Sequence, residues 1–339
     1  MKRRQFIQYS SLALASGLMV GCGDRTSRTS PSGLDRVTYG TNWYAQAEHG
    51  GFYQAVATGI YEEYGLDVTI QMGGPQVNLS QLLMAGTLDF TMGGSMGSMQ
   101  AVYEGVPKVT VAAIFQKDPQ ILLAHPDTGV ETLADLKGRP IYVSSISSAT
   151  YWPMLRKEFG FTDDQRRPYN FSVAPFLADK NSAQQGYLSS EPWTVEQQGG
   201  FTPVVFLLSD YGYTPYAMTI DTRRRLMEEN PDLVQRFVDA SIKGWYSYLE
   251  DPAPGNELIQ KDNPEMSSEL LAYGIEKIKE YGMVTSGDAE KYGIGIMTAE
   301  RWEAIFQAML EAGTVSPDFD YTQAFSLQFV GQSLESRIL

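Results

Sequence analysis

Between Val37 and Val102 the chain alternates strand-like runs with helix-periodic stretches, and this alternation restricts the fold more than any other feature. Val37-Thr38-Tyr39 is β-branched and aromatic. Phe52, Ala55, Val56 and Ile60 recur at helical spacing, and Tyr61-Glu62-Glu63-Tyr64-Gly65 closes that helix at a glycine. Leu66 to Met72 alternates as a strand, Gly73-Gly74-Pro75 turns, and Asn78 to Leu83 makes a short helix. Gly86-Thr87-Leu88-Asp89-Phe90 leads into a third strand ending at Met92-Gly93-Gly94-Ser95, after which Met96 to Val102 is helical again. Strand and helix in strict succession predict a parallel α/β sheet, and such sheets bind ligands in the loops at the carboxyl ends of their strands.

One such loop, Thr41 to Gly51, holds an unusual set of groups. Asn42 offers an amide, Trp43 an indole, Tyr44 a phenol, Glu48 a carboxylate and His49 an imidazole. These can stack on a flat ring and hydrogen-bond its edge, so the loop is expected to form half of a small-molecule pocket. Gly94 and Ser95 at the third strand's end admit two readings. Glycine lets backbone N–H groups approach a ligand at a helix N-terminus, or it serves only a tight strand-to-helix turn.

At 339 residues, two domains are the default expectation. Formal net charge is −14, and it reaches −17 if Lys2, Arg3 and Arg4 are removed with a leader. That surface repels phosphate backbones, so no nucleic-acid partner is expected. Lys2-Arg3-Arg4 followed by the apolar run Ser11 to Val20 reads as an export signal covering residues 1–21, and the twin arginine resembles the twin-arginine type. Cys22, the single cysteine, follows Met19-Val20-Gly21 as in a lipoprotein cleavage box, which makes it the candidate lipid-bearing residue; the plainer alternative is a signal peptide with an incidental cysteine. One cysteine also excludes internal disulfides and cysteine-based zinc or iron–sulfur sites. Residues 22–35 read as a flexible tether.

Gly59-Ile60-Tyr61 and Gly65-Leu66-Asp67-Val68, followed by a glycine-rich loop and Gly86-Thr87-Leu88-Asp89-Phe90, resemble the substrate-binding proteins of bacterial ABC importers. Asn42-Trp43 with His49-Gly50-Gly51-Phe52-Tyr53 looks most like the thiamine branch of that group, which unites formyl-aminopyrimidine receptors with fungal pyrimidine-precursor synthases. The resemblance runs from Val37 to about Gly313. It implies a two-lobed α/β periplasmic-binding-protein fold of type II, each lobe a sheet flanked by helices. Residues 36–118 would begin lobe one, 119–217 would form lobe two, and 218–339 would complete lobe one and its tail.

The middle of the chain supplies the rest of the candidate site. The strand Ile141 to Val143 runs into Ser144 to Thr150, where Ser147 and Ser148 offer hydroxyls and free N–H groups, to a ligand or to an ordinary helix cap. In Ser189-Ser190-Glu191-Pro192-Trp193 the proline predicts an extended Glu191. The resemblance implies that Glu191 accepts from an amino-pyrimidine's exocyclic amine and a ring nitrogen, with Trp193 beside it; a solvated loop acid is the alternative. Tyr211, Tyr213 and Tyr216 either wall a flat ligand, with Tyr213 foremost, or pack the hinge. Later on, Asn230-Pro231 starts a long amphipathic helix, and Thr298 caps another.

The resemblance therefore implies a lipid-anchored, extracytoplasmic, monomeric receptor without cofactor. It would bind a thiamine pyrimidine precursor between its lobes and deliver it to a permease with its ATPase subunit. The candidate loops carry no lysine or arginine, and Glu191 repels anions, which favours an amino-pyrimidine over nitrate, sulfonate or taurine. A pyrimidine-precursor synthase is the rival of another class. It would need the cysteine-rich iron motif of the fungal enzymes, which this chain lacks. Met92, Met96 and Met99 fit helix packing better than a soft-metal site.

Overall fold

The computed structural model describes residues 29–147 and 149–331. The leader, Cys22 and its tether up to residue 28, Ser148, and the tail beyond 331 lie outside the described residues.

Among the described residues, ten strands form two sheets of five. They are β1 (Asp35–Gly40), β2 (Leu66–Gln71), β3 (Phe90–Gly94), β4 (Lys108–Phe115), β5 (Gln120–Ala124), β6 (Ile141–Val143), β7 (Arg166–Pro168), β8 (Ala183–Tyr187), β9 (Val204–Leu207) and β10 (Ala217–Arg223). The first sheet has the order β2-β1-β3-β10-β4 and the second β7-β6-β8-β5-β9. Each is the sheet of one lobe. In lobe one, β1 pairs in parallel with β2 and β3, whereas β10 runs antiparallel to both β3 and β4. In lobe two, β6 pairs in parallel with β7 and β8, whereas β5 runs antiparallel to β8 and β9.

The strands between Val37 and Val102 pair in parallel as expected, and the sheets as wholes are mixed because of β10 and β5. β5 follows the first passage between lobes and β10 the second. β10 runs antiparallel to the β3 and β4 already in lobe one, and β5 is the strand against which the later β8 and β9 lie antiparallel.

Lobe one closes on its core through close helix packing. Helix Pro231–Glu250 begins as expected, with the Asn230 side chain accepting from the Leu233 N–H at 3.2 Å. It buries Leu233, Val234, Phe237, Val238, Trp245 and Tyr248. Glycine permits its approach to helix Gly50–Ala57. A Cβ on Gly244 would lie 2.3 Å from the Gly51 carbonyl, and one on Gly51 would lie 2.2 Å from the Trp245 ring. The glycine pair ending the candidate loop thus serves helix packing. Between β10 and β4 sits a buried ion pair, Lys108 to Asp221 at 2.6 Å. The remaining acceptor capacity of that carboxylate is met by the hydroxyls of Ser98, Thr110 and Thr219.

Candidate interlobe binding site

The loop after β1 is built before any ligand reaches it. The Thr41 hydroxyl donates to the Trp43 carbonyl at 2.7 Å and accepts from the Gly73 N–H at 3.0 Å, which pins the loop to its neighbour after β2. His49 is fully buried. Its Nδ1 accepts from the Gln46 N–H at 3.2 Å, so the proton resides on Nε2, which donates to the Asn42 side-chain oxygen at 3.1 Å. Burial alone pushes the imidazole down to about 3, so it is neutral. His49 therefore orients Asn42, with both ring nitrogens hydrogen-bonded within the loop. Tyr44 is exposed, lying against Gly74.

Trp43 reaches the other lobe. Its ring lies 4.3 Å from that of Phe171, in the loop after β7. Phe171 lies 5.2 Å from Tyr169, whose hydroxyl donates to Glu191 at 3.2 Å. An unbroken chain of contacts thus joins Trp43 of lobe one to Glu191 of lobe two.

Glu191 is not extended. It opens helix Glu191–Gly199, with Pro192 following inside the first turn, where the missing proline N–H costs nothing. Its carboxylate accepts from the Tyr187 N–H at 2.7 Å and from the Ser190 hydroxyl at 2.5 Å. Burial raises its pKa, while those donors and Tyr169 oppose the rise. Trp193 lies half-buried on the same helix and makes no ring contact among the described residues.

Two further acids belong to the site. Glu48 is buried, and its carboxylate accepts from the Ser189 hydroxyl across the lobe boundary. Burial pushes it up to about 7, Ser189 opposing and nearby Glu191 adding to the rise. Asp118, in the first passage between lobes, accepts from the Gln120 N–H at 2.8 Å and is raised by burial to about 6. Phenols surround it, since Tyr151, Tyr187 and Tyr213 all feel its charge.

The serine turn is tied to β8. The Gln185 side-chain oxygen accepts from the Ser147 hydroxyl at 2.7 Å and from the Tyr151 hydroxyl at 3.2 Å. Tyr213 meets Tyr151 edge-on at 5.8 Å and is buried. Tyr216 belongs to the hinge. Its hydroxyl donates to Asp288 at 2.9 Å, and Arg301 lies over its ring.

Gly94 and Ser95 take the plainer of their two readings. Gly94 pairs with Ala217 in the sheet, and the Ser95 N–H and hydroxyl both donate to the Tyr216 carbonyl, at 3.0 and 3.1 Å. The same hydroxyl accepts from the Tyr216 N–H at 3.0 Å. Ser95 is fixed to the second passage between lobes, because that backbone arrives with its N–H and C=O unpaired.

The structure thus joins Trp43 to Glu191 through Phe171 and Tyr169, joins Ser147 to Tyr213 through Gln185 and Tyr151, and ties His49 to Asn42 and Ser95 to Tyr216. Sequence reasoning offered Glu48 as one of the loop's groups but did not single out Asp118, Tyr169, Phe171 or Gln185. Asp118 ends the segment 36–118 expected to begin lobe one. No sequence pattern points to the other three. No group of three or more His, Cys, Asp or Glu side chains among the described residues is placed to hold a metal ion, and no helix among them is long and apolar enough to cross a membrane.

Two sheets, two short passages between them and groups contributed from both lobes define the two-lobed periplasmic-binding-protein fold. The chain belongs to the NMT1/THI5 like family, whose model matches residues 46–254. It is 24% identical to the riboflavin-binding protein RibY of Chloroflexus aurantiacus, over 88% of this chain and 86% of that one. With the formylaminopyrimidine-binding protein of Halalkalibacterium halodurans it shares 21% identity, over 87% of this chain and 90% of the relative. Among solved structures, the periplasmic aliphatic sulphonate binding protein SsuA of Escherichia coli has the same fold. Its TM-score is 0.66 at 15% identity, covering 88% of this chain and 93% of that one.

Proposed function

We propose that this receptor binds a flat, nitrogen-bearing heterocycle, an amino-pyrimidine of the thiamine-precursor kind or a related ring, and delivers it to its permease. The observation that carries this reading is the acid content of the cleft. Glu48, Asp118 and Glu191 come from three separate segments and aromatic rings come from both lobes, while Arg301 lies over the Tyr216 ring at the hinge. Carboxylates accept from N–H donors on a ring edge, and aromatic faces cover its planes. Asn42, Trp43, Tyr44, Ser147, Glu191, Trp193 and Tyr213 are the contacts proposed for it. The names of the riboflavin and formylaminopyrimidine relatives support a heterocycle. Anchoring through Cys22 is part of the same proposal.

The alternative is a receptor for a sulfonate, taurine or nitrate. The sulfonate receptor that shares the fold favours it. In that case the hydroxyls, backbone N–H groups and the Gln185 amide would supply the donors, and the three acids would have to be protonated or turned away.

A thermal-shift screen separates the two readings. Formylaminopyrimidine, hydroxymethyl-aminopyrimidine, riboflavin, taurine, an alkanesulfonate and nitrate are each added to the protein. A ligand at about 100 times its dissociation constant adds about 2.7 kcal/mol of stability. A shift with taurine, sulfonate or nitrate and none with the rings overturns the heterocycle reading.

A further inference from the structure

Phe171 is built unlike a packing residue. Its side chain is 46% exposed although it touches Trp43, and its backbone sits at φ +62°, a left-handed conformation that L side chains rarely adopt. A bulky residue is held there only where its surroundings give something in return. What Phe171 gains is ring contact on two sides, with Trp43 of the other lobe at 4.3 Å and with Tyr169 of its own at 5.2 Å.

That contact leaves no space for a ligand ring between Trp43 and Phe171. A planar ring stacked between two others needs about 7 Å from face to face, twice the contact distance of carbon atoms. One partner must therefore yield. Trp43 is held, because its carbonyl is bound by Thr41, Thr41 is tied to Gly73, and the Tyr44 ring stands edge-on at 5.4 Å. Phe171 is exposed on its outer side and sits in a loop between β7 and helix Ala174–Ala178.

We propose that Phe171 is a ligand-facing, specificity-determining residue: it fills the ring position against Trp43 and turns aside to cover the outer face of a planar heterocycle when one binds. This rests on the heterocycle reading and deepens it. A tetrahedral sulfonate gains nothing from such a residue, whereas an aromatic ring replaces one tilted ring contact by two ring faces. Tyr169 links the movement to Glu191, since one side chain touches both.

The test is calorimetric titration of the wild-type protein and of Phe171→Ala, Phe171→Leu and Phe171→Tyr, with riboflavin and with hydroxymethyl-aminopyrimidine, alongside apo melting curves. Loss of one aromatic face should weaken ring binding about tenfold in the alanine and leucine variants. The tyrosine variant should restore it, while the four apo melting points stay together. If wild type binds a ring and the alanine variant binds it equally well, this inference is overturned and the receptor reading survives. Leucine matching wild type, with alanine weak, would mean that any bulky apolar group serves, and that also overturns it. Binding of neither ring by wild type removes both readings together.

Discussion

Replacing Glu48 with glutamine isolates the effect of one proton on the contact between lobes. Glu48 is 1% exposed, and its carboxylate meets the Ser189 hydroxyl across the boundary. The titratable groups that feel it are Glu191, Tyr187 and Tyr248, none of them cationic. Burial accordingly moves the carboxyl from 4.5 to about 7. The folded chain keeps this proton over a pH range in which the unfolded chain releases it. The contribution to stability is fully present below pH 4.5 and is lost as pH rises through 7. At about 1.4 kcal/mol per pH unit, the loss across that window is roughly 3 kcal/mol.

Asp118 and Glu191 are also raised, so they tilt the profile in the same direction. The diagnostic quantity is therefore the difference between wild type and Glu48→Gln. Glutamine retains an oxygen for Ser189 and has no proton to lose. Urea unfolding at pH 5 and pH 8 should show wild type losing roughly 3 kcal/mol more than the variant between the two. Opening the cleft hydrates the same carboxyl, so a ligand that favours the closed form should bind more tightly at pH 5 than at pH 8, and less so in the variant. Parallel stability profiles for the two proteins would refute the argument, since burial of Glu48 would then cost nothing.

Two further substitutions test the site and its support. In Glu191→Gln the amide oxygen can still accept from Tyr187 and Ser190 while the NH₂ donates to the Tyr169 oxygen, so the apo melting point should hold. Ring binding should fall on the order of 10- to 100-fold with the loss of a charged acceptor, and calorimetry showing equal losses in stability and affinity would make Glu191 structural. Gly244→Ala places a Cβ 2.3 Å from the Gly51 carbonyl and should cost about 1–3 kcal/mol, read as a lower urea midpoint; an unchanged midpoint would mean that the two helices have slack.

Much of the fold was legible because periodicity is local. The strand and helix alternation from Val37 to Val102, the Asn230-Pro231 helix start and the Thr298 cap all appear where their side-chain patterns place them. The same local rules failed at Glu191. A proline disfavours helix in the residue before it, yet the donors gathered from Tyr187, Ser190 and Tyr169 hold that residue in a first helical turn. They failed again at Gly93-Gly94-Ser95, where the glycines suit a ligand and a close crossing equally well. A Cβ on Gly93 would lie 2.2 Å from the Asp221 carboxylate, which assigns it to the crossing.

By itself, the sequence determined the class of architecture, the loop after β1 as a place for ligand chemistry, and the aromatic and acidic character of that chemistry. Those properties depend on the spacing of neighbouring residues and on which side chains are present. Only the tertiary structure decided that His49 serves Asn42, that Ser95 serves the hinge, that Glu48 meets Ser189, and that Phe171 meets Trp43. A buried group's role is set by the partner that meets it. For Glu48, Ser95 and Phe171 those partners are Ser189, Tyr216 and Trp43, more than a hundred residues away along the chain, where no local pattern can announce them.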